Sequence, residues 1–99
     1  MADVTITRED NPSKGRYVAK VAGIDGEGEL TYSRVNPKLI IADHTFVPHA
    51  FRGKGVARAL AQRLVDDARA QGVKIIPLCP YVNAERRKHP DWSDVFQEP

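Results

Sequence analysis

With a single cysteine, Cys79, among 99 residues, the chain can close no internal disulfide, and a reducing compartment is the simpler reading. Long apolar runs are missing too. None approaches the roughly 20 residues that a membrane-crossing helix needs. The first residues carry no basic segment followed by an apolar stretch, so no secretory leader is expected. Charge of one sign is scarce: the formal excess is +2, too small in itself to imply nucleic acid. Repeats and low-complexity segments are also lacking. What remains is an ordinary globular composition, 41% hydrophobic and 28% charged, at one domain's length. These features predict a soluble cytoplasmic protein, one domain over residues 1–99, with no membrane and no nucleic-acid partner. The cations that are present cluster. Arg52, Lys54 and Arg58 lie mid-chain and Arg86, Arg87 and Lys88 near the end, which suits a compact polyanion better than a long duplex.

Alternating apolar residues predict short strands at 4–7, at 16–22 with Tyr17, Ala19 and Val21 on one face, and at 29–35 with Leu30 and Tyr32 on one face. Asp10 to Gly15 reads as a turn, and Gly23, Gly26 and Gly28 as a hairpin loop. Residues 39–47 form a long apolar strand candidate, interrupted by Asp43 and His44. The main helix is expected over 54–70, where Val56, Ala57, Leu60, Ala61, Leu64, Val65 and Ala68 recur at helical spacing. Gly72 supplies its stop. A strand at 73–79 and a helical tail at 82–89 follow. Strand, helix, strand in this order suggests a crossover between parallel strands.

The turn from His49 to Gly55 joins the long strand to the amphipathic helix. A helix start carries unpaired N–H groups and the positive dipole end, so it suits a phosphate. Gly53 and Gly55 keep side chains away from such an anion, and Arg52, Lys54 and Arg58 place charge at its rim. A solvated basic turn is the plain alternative. A P-loop would need Ser or Thr where Gly55 stands. A dinucleotide fingerprint would need a glycine in place of Arg58 and an acid where Leu78-Cys79-Pro80 ends the next strand.

Arg52-Gly53-Lys54-Gly55-Val56-Ala57 resembles the Arg/Gln-x-x-Gly-x-Gly/Ala signature of the GNAT superfamily of N-acetyltransferases, matching at Arg52, Gly55 and Ala57. His44-Thr45-Phe46-Val47, Cys79-Pro80-Tyr81-Val82 and His89-Pro90-Asp91-Trp92 extend the likeness to its short single-domain branch, over roughly residues 28–94. The resemblance implies a minimal α/β acyl-CoA N-acyltransferase fold. Its sheet would be mixed and mostly antiparallel, with one main amphipathic helix and a short C-terminal helix. It implies acetyl-CoA, or coenzyme A, with the pyrophosphate at the start of the main helix and the pantetheine arm between strands 39–47 and 73–79. The implied cofactor contacts are Val47, Arg52, Gly53, Lys54, Gly55, Val56, Ala57 and Arg58. The implied reaction is acetyl transfer to an amine, on a small molecule or a protein lysine. The chain departs from longer members, which carry extra N-terminal helices and a further pair of C-terminal strands that help to form the acceptor site.

Three residues are candidates for the chemistry. Cys79 ends the strand after the helix, where a thiolate could take the acetyl group or the side chain could serve as small apolar filler. Tyr81 could protonate the departing thiolate or be a half-buried aromatic. His44 could take a proton from the amine, or be structural. Alternation places it and Asp43 on opposite faces, so the two are not expected to form a dyad. Arg86, Arg87 and Lys88 could reach the 3′-phosphate or line a solvated helix face. His44, His49, His89 and Cys79 lack zinc-like spacing, so no metal is expected. Two other functions stay open: a CoA-binding module without turnover, and a small basic RNA-binding protein. The second lacks aromatics interleaved with the basic residues.

Overall fold

Alternation along the first half of the chain produces four antiparallel strands in the computed structural model, which describes residues 3–98. They are β1 (Val4–Asp10), β2 (Lys14–Val21), β3 (Ile24–Asn36) and β4 (Leu39–Phe46). A 3-10 turn at His49–Phe51 leads to helix α1 (Val56–Gln71), then β5 (Lys74–Pro77), α2 (Pro80–Arg87) and a last 3-10 turn at Pro90–Trp92. The five strands form one sheet in chain order, antiparallel from β1 to β4 and parallel between β4 and β5. The fold is thus a mixed, mostly antiparallel α/β sheet with one main helix and a short C-terminal one.

Several boundaries differ from the sequence expectation. Lys14 and Gly15 belong to β2 rather than to a turn, and the β2–β3 hairpin closes tightly at Ala22 and Gly23. Gly26 and Gly28 therefore lie within β3. At Gly28 a Cβ would come 3.3 Å from both the Phe46 carbonyl oxygen and Val56 Cγ1, so the missing side chain lets the start of α1 settle onto the strand. Helix α1 starts two residues later than expected, because Gly55 at its N-cap is left-handed. The tail helix begins earlier, at Pro80, whose fixed φ suits a first helical position.

The core lies between one sheet face and the helices. Tyr17, Ala19, Val21, Leu30, Tyr32, Ile40, Ala42 and Ile75 meet the α1 stripe of Val56, Leu60, Ala61, Leu64, Val65 and Ala68. The opposite face carries Arg16, Thr31, Ser33 and His44; among the described residues no helix covers it, and the buried Val18 on it lies outside the core cluster. Beyond β5, the chain returns so that the Ile75 N–H donates to the Val95 carbonyl and the Gln97 N–H to the Ile75 carbonyl. The β5 edge away from β4 is thereby covered.

One end of the core closes with a polar network. The Tyr17 hydroxyl donates to Asp67 of α1 at 2.9 Å, Arg8 Nε donates to the Tyr32 hydroxyl, and Tyr32 donates to Asp10. The Tyr32 phenol lies over Gly15, where a Cβ would meet its oxygen at 2.4 Å; no larger residue fits there without moving it. Burial works against ionising Asp10, yet hydrogen bonds from Arg34 and Tyr32 and the charge of Arg8 hold its carboxyl below the ordinary value.

Two outcomes follow. Leu64 is fully buried, and Leu64→Ala is expected to cost about 2–5 kcal/mol in denaturant unfolding. Since the folded-state pKa of Asp10 is the lower one, its ionised form adds stability above an unfolded-state pKa of about 4, and that stability is lost as pH falls through the folded value. Asp10→Asn is therefore expected to be less stable near neutrality and to show a shallower acid limb in thermal melts; an unchanged acid limb contradicts the assignment.

Candidate active site

The β4–β5 ladder stops early. Pairing runs from Leu39↔Lys74 to Ala42↔Pro77 and no further. Leu78, the next residue in phase to donate to β4, turns its N–H back to the Ile76 carbonyl at 3.1 Å, and Pro80 then opens α2. The Cys79 N–H makes a last bond, 2.8 Å to the Ala42 carbonyl, before the chain turns into α2. On the other strand, Asp43 is an extra residue: Thr31 pairs with His44 and Tyr32 with Ala42. This bulge adds twist to β4 just where β5 leaves it. Asp43 to Phe46 therefore face a wedge-shaped gap. Phe46 and Leu78 stand exposed on its two sides at 53% and 56%.

The bulge corrects one expectation. Asp43 and His44 do not alternate: both are exposed, while Ala42 before them is buried and Thr45 after them turns inward to Cys79. Ser33 Oγ donates to Asp43 Oδ2 at 2.6 Å, and no hydrogen bond joins Asp43 to His44 among the described residues. His44 thus faces solvent on the uncovered side of the sheet.

The glycine turn follows directly. Buried Phe51 and Val56 pin its two ends to the core. Gly53 and Gly55 adopt φ of 78° and 70°, a left-handed region open mainly to glycine, and a Cβ at either would meet nothing within 4 Å. The amides of Gly53, Gly55, Val56, Ala57 and Arg58 have no hydrogen-bond partner among the described residues. Lys54 differs, because its N–H donates to the Phe51 carbonyl at 3.2 Å; only its exposed side chain is free to meet an anion. Arg52 likewise uses its amide on His49 and exposes its side chain. Arg58 leans toward α2, with Nε 3.5 Å from Glu85 Oε1. Val47 packs half-buried against the core beside the gap.

Cys79 is 2% exposed at the N-cap of α2, its Sγ 3.3 Å from Thr45 Oγ1 across the gap. Tyr81, half-buried against the core, has its phenol pushed up by burial and then by the Glu85 carboxylate. It keeps its proton over the whole neutral range. Glu85 is a buried carboxylate, 3% exposed, with Lys88 and His89 at 3.6 and 3.5 Å as well as Arg58. Among the later cations, Arg86 is engaged by Asn83 and Glu98.

The unpartnered amides fit a phosphate, and the wedge between β4 and β5 fits a slender chain. Residues 16–95 match the family model of the GCN5-related N-acetyltransferases. The chain belongs to this family. It is 28% identical to Protein NATD1 of Xenopus tropicalis over 86 residues, covering 87% of this chain and 79% of that one. Against human Protein NATD1 the figures are 26% over 82 residues, 83% and 73%. The NMR solution structure of a GCN5-like candidate N-acetyltransferase from Staphylococcus aureus superposes with a TM-score of 0.72 at 25% identity, over 96% of this chain and 89% of that one. The family as a whole uses an acyl-CoA donor and an amine acceptor.

Sequence reasoning did not find Thr45, Phe46, Leu78 or Glu85. Pro77 inside an apolar run was the available signal for the early end of β5. The bulge at Asp43 leaves no mark in the local sequence, since it depends on register with β3. For the turn, Gly55→Val is expected to cost about 1–2 kcal/mol of stability through its left-handed backbone. It is also expected to abolish CoA binding measured by calorimetry on the folded protein. Undiminished affinity would remove the turn from the site.

Proposed function

We propose that this chain is a single-domain acetyl-CoA-dependent N-acetyltransferase that acetylates an amine. The observation carrying this reading is the coincidence of two features: amides without partners at the start of α1, and the parting of β4 from β5 immediately before it. The first suits a pyrophosphate and the second a pantetheine arm. In this reading the amides of Gly53, Gly55, Val56 and Ala57 hold the phosphates, Arg52, Lys54 and Arg58 add screened charge, and Val47, Phe46 and Leu78 line the arm's path. Acetyl-CoA, when bound, supplies the acetyl group as a thioester open to attack by an amine. His44, exposed beside the gap, takes the proton the amine must lose. Tyr81, held protonated, gives one to the departing sulfur.

Cys79 has two uses. Its burial and its contact with Thr45 favour packing, with the amine attacking the donor directly. Its place at the head of α2, facing the gap, would serve an acetylated thiol. A CoA-binding module without turnover is the rival at the level of the whole protein, and a turnover assay separates the two.

If Cys79 packs, Cys79→Ala is expected to keep most of the activity and lose on the order of 1 kcal/mol of stability. Mass spectrometry after incubation with acetyl-CoA and removal of free CoA is then expected to find Cys79 unmodified. An acetyl group on Cys79, with activity lost in Cys79→Ser at intact CoA affinity, would reverse the assignment.

A further inference from the structure

A concavity of about 470 Å3 lies on the uncovered sheet face, lined by Glu9, Lys14, Arg16, Thr31, Ser33 and Asp43 among others. Its charges are not equivalent. Glu9 is paired with Arg16 at 3.1 Å, and Asp10 at the rim is paired with Arg8 and Arg34. Asp43 has no cationic partner among the described residues and is held only by the Ser33 hydroxyl at 2.6 Å. Among the described residues Lys14 has no anionic partner either. Lys14 and Ser33 are register partners on β2 and β3, and Asp43 lies on β4 beyond Ser33. The two unpaired charges therefore sit two strands apart, roughly 10 Å between backbones, across one serine. Asp43 immediately follows Ala42, the last β4 residue paired with β5, and His44 follows it on the same face.

From this geometry we infer that the concavity is the acceptor pocket, and that its acceptor is zwitterionic: a primary amine held at Asp43, with an anionic group some bonds away held at Lys14. The inference rests on the proposed acetyltransferase reading and adds the substrate class to it. An anion at the Asp43 end is repelled, and an amine is drawn to the point where the sheet splits and where His44 is exposed. Lys14 fixes the other end, so a plain alkylamine satisfies only half of the pocket. The hydroxyls of Thr31 and Ser33 lie between and suit a polar connecting chain. Asp43 and Lys14 are thus specificity residues, acting on the acceptor and not on the donor.

The test uses 6-aminohexanoate and pentylamine, which share an amine and a five-carbon chain and differ in the carboxylate. Amide NMR titration of the protein without acetyl-CoA is expected to shift Lys14, Ser33 and Asp43 with 6-aminohexanoate. Its affinity is expected to exceed that of pentylamine by about tenfold, the worth of one charge-assisted contact. Lys14→Met is expected to bring 6-aminohexanoate down to the pentylamine level, and Asp43→Asn to weaken both. Both side chains are exposed, so the variants are expected to fold, which the same spectra verify. Equal affinity for the two probes, indifference to Lys14→Met, or shifts confined to another face would overturn the inference. A parallel CoA titration keeps the two claims apart. CoA binding without any preference for the zwitterion sinks the pocket alone, whereas zwitterion binding without CoA binding sinks the acetyltransferase reading and leaves a zwitterion site.

Discussion

The arrangement of this molecule depends on a ladder that cannot continue. Parallel pairing between β4 and β5 ends at Ala42 and Pro77, because the Leu78 N–H turns back to the Ile76 carbonyl and the chain becomes a helix at Pro80. Had β5 run on beside Asp43 to Phe46, the sheet would be closed and the turn at Gly53 and Gly55 would face only solvent. The early ending converts the side of β4 into the wall of a gap and brings Cys79 and Tyr81 to its other side. The bulge at Asp43 works in the same direction from the opposite strand.

Anchoring makes the glycine turn usable. A left-handed loop with open amides would be mobile if left to itself, since glycine loses more backbone freedom on ordering than other residues. Here Phe51 before it and Val56 after it are both buried, and α1 is bound to the sheet along six buried positions. The helix stripe that organises the core is thus also what holds the amides in one direction. Side-chain charge is secondary at this turn, because Arg52 and Lys54 are exposed and Arg58 is already drawn to the buried Glu85.

Much of this was legible in the sequence where a signal is local. The α1 stripe is periodic, and every expected stripe residue except the half-buried Ala57 is buried. The glycines of the turn, the Gly72 stop and the order of elements could be read in the same way. Where register or distant neighbours decide, no local signal was readable. The alternation rule put Asp43 and His44 on opposite faces, and one extra residue against β3 put both outward. Gly26 and Gly28 looked like loop residues, yet Gly28 serves in a strand because α1 and the end of β4 come close to it. Lys54 was read as part of the same turn, but its amide is taken by the Phe51 carbonyl of the preceding 3-10 turn. Tyr32 over Gly15 needed both strands in place before either residue made sense.

The return of the chain along β5 has a dynamic consequence. Along one edge β5 pairs with β4, and along the other the N–H and carbonyl of Ile75 bond to Val95 and Gln97, so the strand is held at both edges. The wedge beside it is then part of the resting architecture and requires no strand to peel away before a ligand enters. Opening motions that release β5 have to break bonds along both of its edges, whereas Asp43 to Phe46 need break none toward β5. Deuterium uptake would therefore divide this sheet sharply, with a slow seam at Ile75 next to a fast one along the gap.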